Sequence, residues 1–245
     1  SEIEGIDIML AIDVSTSMLA EDLKPNRLEA AKDVAAEFIN GRPNDNIGIT
    51  LFAGETFTQC PLTVDHAVLL DMIHNIKCGL ITDGTAVGMG IANAVTRLKD
   101  SKAKSKVIIL LTDGTNNKGD ISPMTAAEIA KSFGIRVYTI GVGTNGMAPY
   151  PYPVGNTVQY VSMPVEIDEK TLTEIAGTTD GNYFRATSNS KLKEVYEEID
   201  KLEKTKLNVK EYSKRDEEYH WFALAAFLCV LLEVLLRNSV LKKIP

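Results

Sequence analysis

The sequence is poor in the residues that carry the commonest metal and redox chemistry. It has three cysteines and three histidines in 245 residues. Neither set shows the spacing of a zinc site or of a disulfide framework. We expect Cys60 and Cys78 to be buried free thiols, with a bridge between them as the alternative.

Basic clusters and phosphate-binding loops are also absent. Acidic residues outnumber basic ones, 33 to 26, and the net charge is -7, so we expect no nucleic-acid partner. No Gly-x-x-x-x-Gly-Lys-Ser/Thr motif occurs, which argues against a P-loop ATPase or GTPase. The chain starts at Ser1, without a Met and without a visible signal peptide. We expect either a processed N-terminus or an excerpt of a longer protein.

Short apolar runs alternate with segments of helical period over the first 200 residues. A stripe at 28–39, with Asn26 as its N-cap, has the helical period. A run around 55–60 predicts an edge strand, and 182–186 followed by 189–204 predicts a final strand and helix. The alternation predicts a doubly wound, mostly parallel α/β sheet flanked by helices. The main apolar runs, typical of strands buried on both faces, are 6–12, 46–52, 106–112 and 136–142.

The composition changes towards the C-terminus. From Tyr219 to Leu236 a single acid interrupts 18 residues of mainly apolar sequence, close to the length that spans a hydrocarbon core of ~30 Å. Basic residues follow this run, and the positive-inside rule then places the preceding domain on the periplasmic side of the inner membrane. A buried helix of the soluble fold is the alternative. The predicted organisation is a domain at 1–204, a charged linker or helical stalk at 205–218, a transmembrane helix at 219–241 and a cytoplasmic tail at 242–245.

The segment 145–165 interrupts the alternation of strands and helices. It contains glycine, proline and three tyrosines, Tyr150, Tyr152 and Tyr160. We expect a long loop or a small hairpin inserted after a strand. Because strand 136–142 points to the same edge as its parallel neighbours, this insertion should rise beside any site at that edge, where its tyrosines would suit an interface. Packing of the tyrosines onto their own domain is the alternative.

The predicted strands at 6–12 and 106–112 both lead into an aspartate, and the first aspartate is followed by two serines at alternate positions. Ligands of open α/β sheets bind outside the carboxyl ends of the strands, where the strand order reverses. A threonine on a glycine turn before a helix adds another oxygen. An all-oxygen set at the protein surface suits Mg²⁺ or Mn²⁺. The predicted ligands are Asp13, Ser15, Ser17, Thr85 and Asp113.

Each of these pieces alone has an ordinary structural explanation. Asp13, Ser15 and Ser17 would form a common turn, since such residues hydrogen-bond their own backbone. Asp113 followed by glycine is an ordinary turn after a strand, and Thr85 would serve as an N-cap. Their combination at strand ends and helix entries is what favours a metal site.

The same residues carry a resemblance to a known family. Over about residues 5–203 the sequence resembles the von Willebrand factor A superfamily. Its Asp-Val-Ser-Thr-Ser at 13–17, with Thr85 and Asp113, matches the metal-ion-dependent adhesion site of that family. The resemblance implies that the three hydroxyls bind the ion directly, and that the two carboxylates do so directly or through water.

A closer resemblance is to the membrane-anchored aerotolerance (Bat-type) proteins of bacteria. Those proteins usually carry hydrophobic helices before the domain, and this sequence shows none there. The resemblance implies a role in stress or oxygen tolerance, and association with sibling Bat-type proteins and a MoxR-type AAA+ ATPase. The segments that carry it are 13–32, 52–63, 83–99 and 108–117, with the C-terminal hydrophobic run.

A metal site that binds a protein partner is favoured over an enzyme active site. A phosphohydrolase of the haloacid-dehalogenase type needs a second acid two residues after its first, and position 15 is a serine. No nucleophile with an adjacent base is visible. Neutral hydroxyl ligands leave the charge of an ion poorly neutralised, so an open coordination position attracts an Asp or Glu of a protein partner. A structural domain with a vestigial site is the other alternative.

Overall fold

The computed structural model describes residues 5–155 and 157–213, together with residues 224, 226, 230 and 233. The chain divides into two units, Ser1–Glu203 and Lys204–Pro245, and the sheet belongs to the first. The strands are β1 (Asp7–Asp13), β2 (Asn46–Phe52), β3 (Thr56–Thr63), β4 (Lys106–Thr112), β5 (Ile135–Val142), β6 (Met147–Val154), β7 (Thr157–Pro164) and β8 (Tyr183–Ala186). The helices are α1 (Arg27–Asn40), α2 (His66–His74), α3 (Val87–Leu98), α4 (Pro123–Ser132), α5 (Glu169–Thr178) and α6 (Asn189–Ser213), with a 3-10 turn at Thr16–Leu19.

The main sheet has the strand order β3-β2-β1-β4-β5-β8. All neighbouring pairs are parallel except β2 and β3. The predicted mostly parallel α/β sheet is therefore confirmed, and so is the edge strand expected around 55–60, which is β3. The chain passes from β1 to β2 and β3 on one side, and then crosses to β4 on the other side. The strand order thus reverses between β1 and β4.

The central strands are apolar on both faces because helices cover both faces. Every residue of β1 is buried, and so are all but the first residues of β2 and β4. Burial of such continuous apolar runs supplies the main stabilisation of a parallel sheet. One face packs on α3, α4 and α5 through the apolar side chains that those helices direct inward, among them Ile91, Ala127 and Leu172.

The helices begin where the sequence supplies a cap. Asn26 accepts a hydrogen bond from the Glu29 amide at 2.8 Å and starts α1, as predicted. Ser122 accepts one from the Thr125 amide at 3.1 Å and starts α4, with Pro123 at the first helical position. These caps satisfy amides that have no partner inside the helix, and they help to set the entry of each helix onto the sheet.

The insertion at 145–165 contains an antiparallel hairpin, β6 and β7, which forms a sheet of its own. In its register, Tyr150 lies opposite Val161 and Tyr152 opposite Gln159. Almost the whole hairpin is exposed or half-buried, and Ala148 is its one buried residue among those described. Of the two alternatives that the sequence left open, a loop or a hairpin, the structure has the hairpin.

Glu203 holds α6 against the N-terminal ends of β4 and β5, at the end of the sheet opposite to Asp13. This carboxylate is buried and accepts hydrogen bonds from Arg136 Nε at 2.7 Å, Tyr138 Oη at 2.6 Å and Ser105 Oγ at 2.8 Å. Burial raises the pKa of Glu203, but the hydrogen bonds and the charge of Arg136 outweigh burial, and the net pKa is lowered.

The helix predicted at 189–204 is longer in the structure. α6 ends at Ser213, so the first part of the segment expected to be a linker or stalk is helical. The predicted transmembrane helix at 219–241 lies outside the described residues except at four separate positions, and the tail at 242–245 lies wholly outside them. Within the described part of the chain, no helix is both long enough and apolar enough to cross a membrane.

Candidate metal site at the strand-order reversal

The two aspartates meet because β1 and β4 are parallel neighbours. Ile12 pairs with Leu111 in the register of the two strands, so Asp13 and Asp113 follow at the same edge of the sheet. Thr112 Oγ1 donates a hydrogen bond of 2.6 Å to Asp13 Oδ2. This position, between the strands where the order reverses, is where open α/β sheets bind ligands.

The serines of the turn after β1 link the two carboxylates. The Ser15 amide donates to Asp13 Oδ1 at 2.9 Å, and Ser15 Oγ lies 3.0 Å from Ser17 Oγ. Ser17 Oγ in turn donates to Asp113 Oδ1 at 2.6 Å. Close polar contacts thus connect four of the five predicted ligands, through the Ser15 amide and the two serine hydroxyls.

Thr85, the fifth predicted residue, lies against the loop that begins at Asp113. A β-carbon placed on Gly114 would lie 3.3 Å from Thr85 Oγ1. The Thr85 amide donates to Asn117 Oδ1 at 2.9 Å, and its carbonyl accepts from the Asn117 amide at 2.9 Å. Gly84 permits this close approach, because its φ of +129° favours glycine and a β-carbon there would meet the Lys118 side chain at 2.6 Å.

Asp83, in the loop before α3, holds the turn that follows β1. It accepts hydrogen bonds from the Thr16 amide at 3.0 Å and from Thr16 Oγ1 at 2.7 Å. Both oxygens of this carboxylate are thereby used in one contact between two loops. The sequence pattern did not identify this role, since an aspartate before a glycine reads as an ordinary turn.

The expectation of a surface site is wrong for most of its residues. Asp13 is fully buried, and Ser15, Thr85 and Asp113 retain at most 4% of their exposure. Among the five, Ser17 alone is exposed. The carboxylates lie at the base of the site because the strands carry them into the layer between the sheet and its covering loops. The hydroxyl of Ser17 forms the rim.

Arg27 and Asp22 complete the site, and sequence reasoning missed both. Arg27 Nη1 donates to Asp113 Oδ2 at 2.8 Å, while its Nε and Nη2 each donate to Asp22 at 2.7 Å. Asp22 also accepts the Thr144 amide at 2.8 Å. A signal did exist: an arginine as the first residue of a helix is unfavourable for the helix dipole, which indicates a compensating acidic environment.

Gly143 explains how the guanidinium fits beneath the loop after β5. Its φ is +142°, and a β-carbon there would lie 2.8 Å from Arg27 Nη2. A larger residue would therefore displace the arginine from its two carboxylates.

The buried charges do not cancel. When ionised, Asp13, Asp22 and Asp113 carry three negative charges against the one positive charge of Arg27, and all four side chains are buried. Burial, followed by the charge of Asp113, raises the pKa of Asp13 to about 7. Burial also raises the pKa of Asp113, although Arg27 opposes the shift. With all three acids ionised, Arg27 leaves two negative charges uncompensated, and these match the charge of one divalent cation.

The donor atoms fit the same ion. Carboxylates and hydroxyls are the hard oxygen ligands that Mg²⁺ and Mn²⁺ prefer. In the part of the chain that the structure describes, no group of three or more His, Cys, Asp or Glu side chains is arranged to hold a metal. A metal at this site would therefore depend on the hydroxyls of Ser15, Ser17 and Thr85 as well as on the two carboxylates.

The nearest thiol offers no alternative chemistry. Cys78 is half-buried and free, and its Sγ donates to the Ser15 carbonyl at 3.3 Å. Burial, followed by the charges of Asp13 and Asp113, raises the pKa of this thiol to about 12. Cys60 is buried and also free, so the free thiols expected from the sequence are confirmed and the bridge between them is not formed.

Comparison with known proteins decides the family. The model of the von Willebrand factor type A domain matches residues 7–198. The chain belongs to this family. The match to the von Willebrand factor A (VWA) domain begins and ends inside the unit Ser1–Glu203, and it covers all the residues of the candidate site.

Individual VWA relatives point to a narrower group. A UPF0353 protein of Mycolicibacterium paratuberculosis is 32% identical over 203 residues, which are 77% of this chain and 58% of that protein. The crystal structure of BatB from Bacteroides thetaiotaomicron is 34% identical, with a TM-score of 0.71, over 82% of this chain and 100% of that one. An aerotolerance-related membrane protein from Bacteroides fragilis is 32% identical, with the same TM-score, over 80% and 98%. This VWA chain is thus related to Bat aerotolerance proteins, and it spans less than two thirds of the UPF0353 relative.

Proposed function

We propose that this VWA domain binds a divalent cation, Mg²⁺ or Mn²⁺, and uses it to hold a carboxylate of a protein partner. The ligands are Asp13, Ser15, Ser17, Thr85 and Asp113. The observation that carries the proposal is the pair of buried carboxyl groups, Asp13 and Asp113, that meet at the reversal of strand order, where Arg27 is shared with Asp22. Ionised carboxylates left unpaired inside a protein are costly, and a divalent ion would remove that cost in place of the proton that Asp13 otherwise binds.

The rim of the site favours binding over catalysis. Ser17 is the exposed ligand, so the coordination position left open by the protein faces solvent at this residue. An aspartate or glutamate of a partner is the anionic ligand that protein surfaces supply. The residue two positions after Asp13 is a serine whose hydroxyl contacts Ser17, and it cannot act as the general acid of a phosphohydrolase. We therefore propose a non-enzymatic, metal-dependent interaction domain.

We further propose that the domain works at a membrane in a bacterial envelope complex. The support is the apolar run within 219–241 of the sequence and the similarity to a protein named as an aerotolerance-related membrane protein. The domain then lies on the periplasmic side of the inner membrane. Its partners are sibling Bat-type proteins and a MoxR-type AAA+ ATPase, and the process served is stress or oxygen tolerance.

Thermal unfolding of the full chain tests the metal site. A cation that binds only the folded state at 100 times its Kd stabilises by about 2.7 kcal/mol, which raises the Tm of a domain of this size by about 5–10 °C. Asp13→Asn should abolish the increase, because it removes one carboxylate charge from the site. The unfolding is followed with MgCl₂ or MnCl₂ and with chelator.

Asp7→Asn is the matched control. Asp7 lies at the other end of the same strand, is also buried, and accepts hydrogen bonds from Asn46 Nδ2 at 2.7 Å and Ser101 Oγ at 2.5 Å. Its replacement should lower the Tm but keep the metal-dependent increase. A metal-dependent increase in Tm that survives in Asp13→Asn would mean that the metal binds elsewhere, and it would contradict the proposed mode of binding.

A further inference from the structure

A groove runs from the candidate metal site to the hairpin of β6 and β7. Its volume is about 250 Å³. Its polar lining residues are Thr16, Ser17 and Arg27, and the rest of its lining is apolar or aromatic. The apolar wall consists of Ala20, Ala148, Tyr150, Tyr152, Met163 and Pro164. We call this feature the hairpin groove.

Four of the five hairpin residues that line this groove share one face of the hairpin, and the fifth, Pro164 at the end of β7, lies on the other. Side chains of a strand alternate between its two faces, so Ala148, Tyr150 and Tyr152 of β6 share a face. In the hairpin register, Met163 is opposite Ala148 and therefore shares it too. Tyr152 and Met163 keep 56% and 47% of their exposure. The face that lines the groove is thus aromatic and apolar, and it is accessible.

Exposed apolar side chains are concentrated on the hairpin. A two-stranded ribbon buries little by itself, and an apolar patch of this kind usually marks an interaction surface. Of the large apolar residues exposed on β6 and β7, four lie on the groove face, Tyr152, Val154, Val161 and Met163, and three on the other face, Met147, Val158 and Tyr160.

Hydrogen bonds hold the groove walls in place. The Glu21 amide donates to the Pro149 carbonyl at 2.8 Å, and Tyr160 Oη donates to Glu21 Oε1 at 2.9 Å. Asp22, which binds Arg27, also holds the Thr144 amide ahead of β6. The hairpin therefore stands in a defined position beside the ion site, and a ligand would not have to order it.

We propose that the hairpin groove selects the partner: it receives an apolar side chain next to the carboxylate that binds the metal. The occupant is an extended segment of a partner protein with an aspartate or glutamate followed by an aromatic or large aliphatic residue. Charge complementarity places the carboxylate at the ion beside Ser17, and the apolar neighbour then meets Tyr150, Tyr152 and Met163. This proposal rests on the proposed metal-dependent function and adds the class of sequence recognised.

Two synthetic peptides test the selection. Acetyl-Gly-Asp-Phe-Gly-amide and acetyl-Gly-Asp-Gly-Gly-amide carry the same carboxylate, and only the first carries a side chain for the groove. Both are titrated into the full chain in MgCl₂ and followed by ligand-observed NMR, with metal binding measured separately by calorimetry. We expect the phenylalanine peptide to bind about tenfold more tightly, from partial burial of its ring, and chelator to abolish binding of both.

Variants on the two faces of the hairpin provide the matched comparison. Tyr152→Ser and Met163→Ser remove exposed side chains from the groove face, and they should erase the preference for phenylalanine while leaving Mg²⁺ affinity unchanged. Val158→Ser removes a side chain of similar exposure, 57%, from the opposite face of the same hairpin. It should leave the preference intact.

The outcomes separate the two proposals. Equal binding of the two peptides, or a preference that survives in Tyr152→Ser and Met163→Ser, would overturn the proposed role of the hairpin groove. The proposed metal-dependent function would be unaffected by either result. Absence of binding by both peptides, with Mg²⁺ still bound, would overturn the groove together with carboxylate capture. A tenfold preference that the groove variants lose and Val158→Ser keeps would support the proposal.

Discussion

Replacing Arg27 by methionine should destabilise the domain strongly in the absence of metal. The guanidinium donates three hydrogen bonds to two buried carboxylates, Asp22 and Asp113. Its side chain keeps only 4% of its exposure, and those of the two acids keep 2% and 0%. Methionine preserves much of the packing volume but leaves both acids without a cation. Breaking a buried ion pair from one side costs about 3–5 kcal/mol.

The loss should depend on pH, metal and the second acid. Protons can neutralise the two stranded carboxylates, so the difference in unfolding free energy between wild type and Arg27→Met should shrink as the pH falls. A bound divalent ion supplies positive charge at the same place and should recover part of the loss. Adding Asp22→Asn to Arg27→Met removes one stranded charge, and the double variant should therefore be more stable than Arg27→Met alone.

Urea unfolding of the full chain, with chelator and at several pH values, measures these differences. For a domain of this size the expected loss corresponds to a Tm decrease of about 6–20 °C. Lys191→Met is the control: its ion pair with Glu194 at 2.6 Å is exposed, and its loss should leave the unfolding midpoint almost unchanged. A loss below about 1 kcal/mol in Arg27→Met, or a double variant less stable than the single one, would refute the reasoning.

Two further predictions concern the pH dependence and the membrane. Because the pKa of Asp13 rises from 3.8 to about 7 on folding, the metal-free native state binds a proton more tightly than the unfolded state. Its contribution therefore makes the unfolding free energy fall as the pH rises from about 4 to about 7, and a pH series in chelator should show that Asp13→Asn or saturating Mg²⁺ removes this fall. For the membrane, a single cysteine placed within 205–218, with the native cysteines replaced, should react with an impermeant thiol reagent in intact cells or spheroplasts; protection until lysis would reverse the proposed topology.

Much of the fold could be predicted because its signals are local. The strands β2 and β4 coincide with the apolar runs at 46–52 and 106–112, since a strand covered on both faces must be apolar throughout. The N-cap of α1 at Asn26 needs only a polar residue before a helical stripe. The meeting of Asp13 and Asp113 followed from one topological assumption, that their strands are neighbours, which the structure confirms.

The residues that sequence reasoning missed act through tertiary contacts. Asp22 and Arg27 lie on a loop and a helix start with no periodic pattern that marks them as buried. Their role becomes visible only when Thr144 and Asp113, from distant parts of the chain, converge on them. The same applies to Asp83 and its contact with Thr16 across 67 positions. No spacing rule connects residues whose proximity depends on where two loops cross the same sheet edge.

The expected surface site and the observed buried one differ for a physical reason that bears on function. A carboxylate at the end of an exposed strand would be solvated, and it would stabilise a bound metal ion little more than water does. Asp13 and Asp113 instead lie in a layer covered by their own loops, where solvation is lost and Arg27 offsets only part of the charge. The covering that raises the pKa of both acids also makes a cation more stabilising there than at an exposed pair. Ser17 is left at the rim, so a partner can approach the site at the point where the proposed ion would remain accessible.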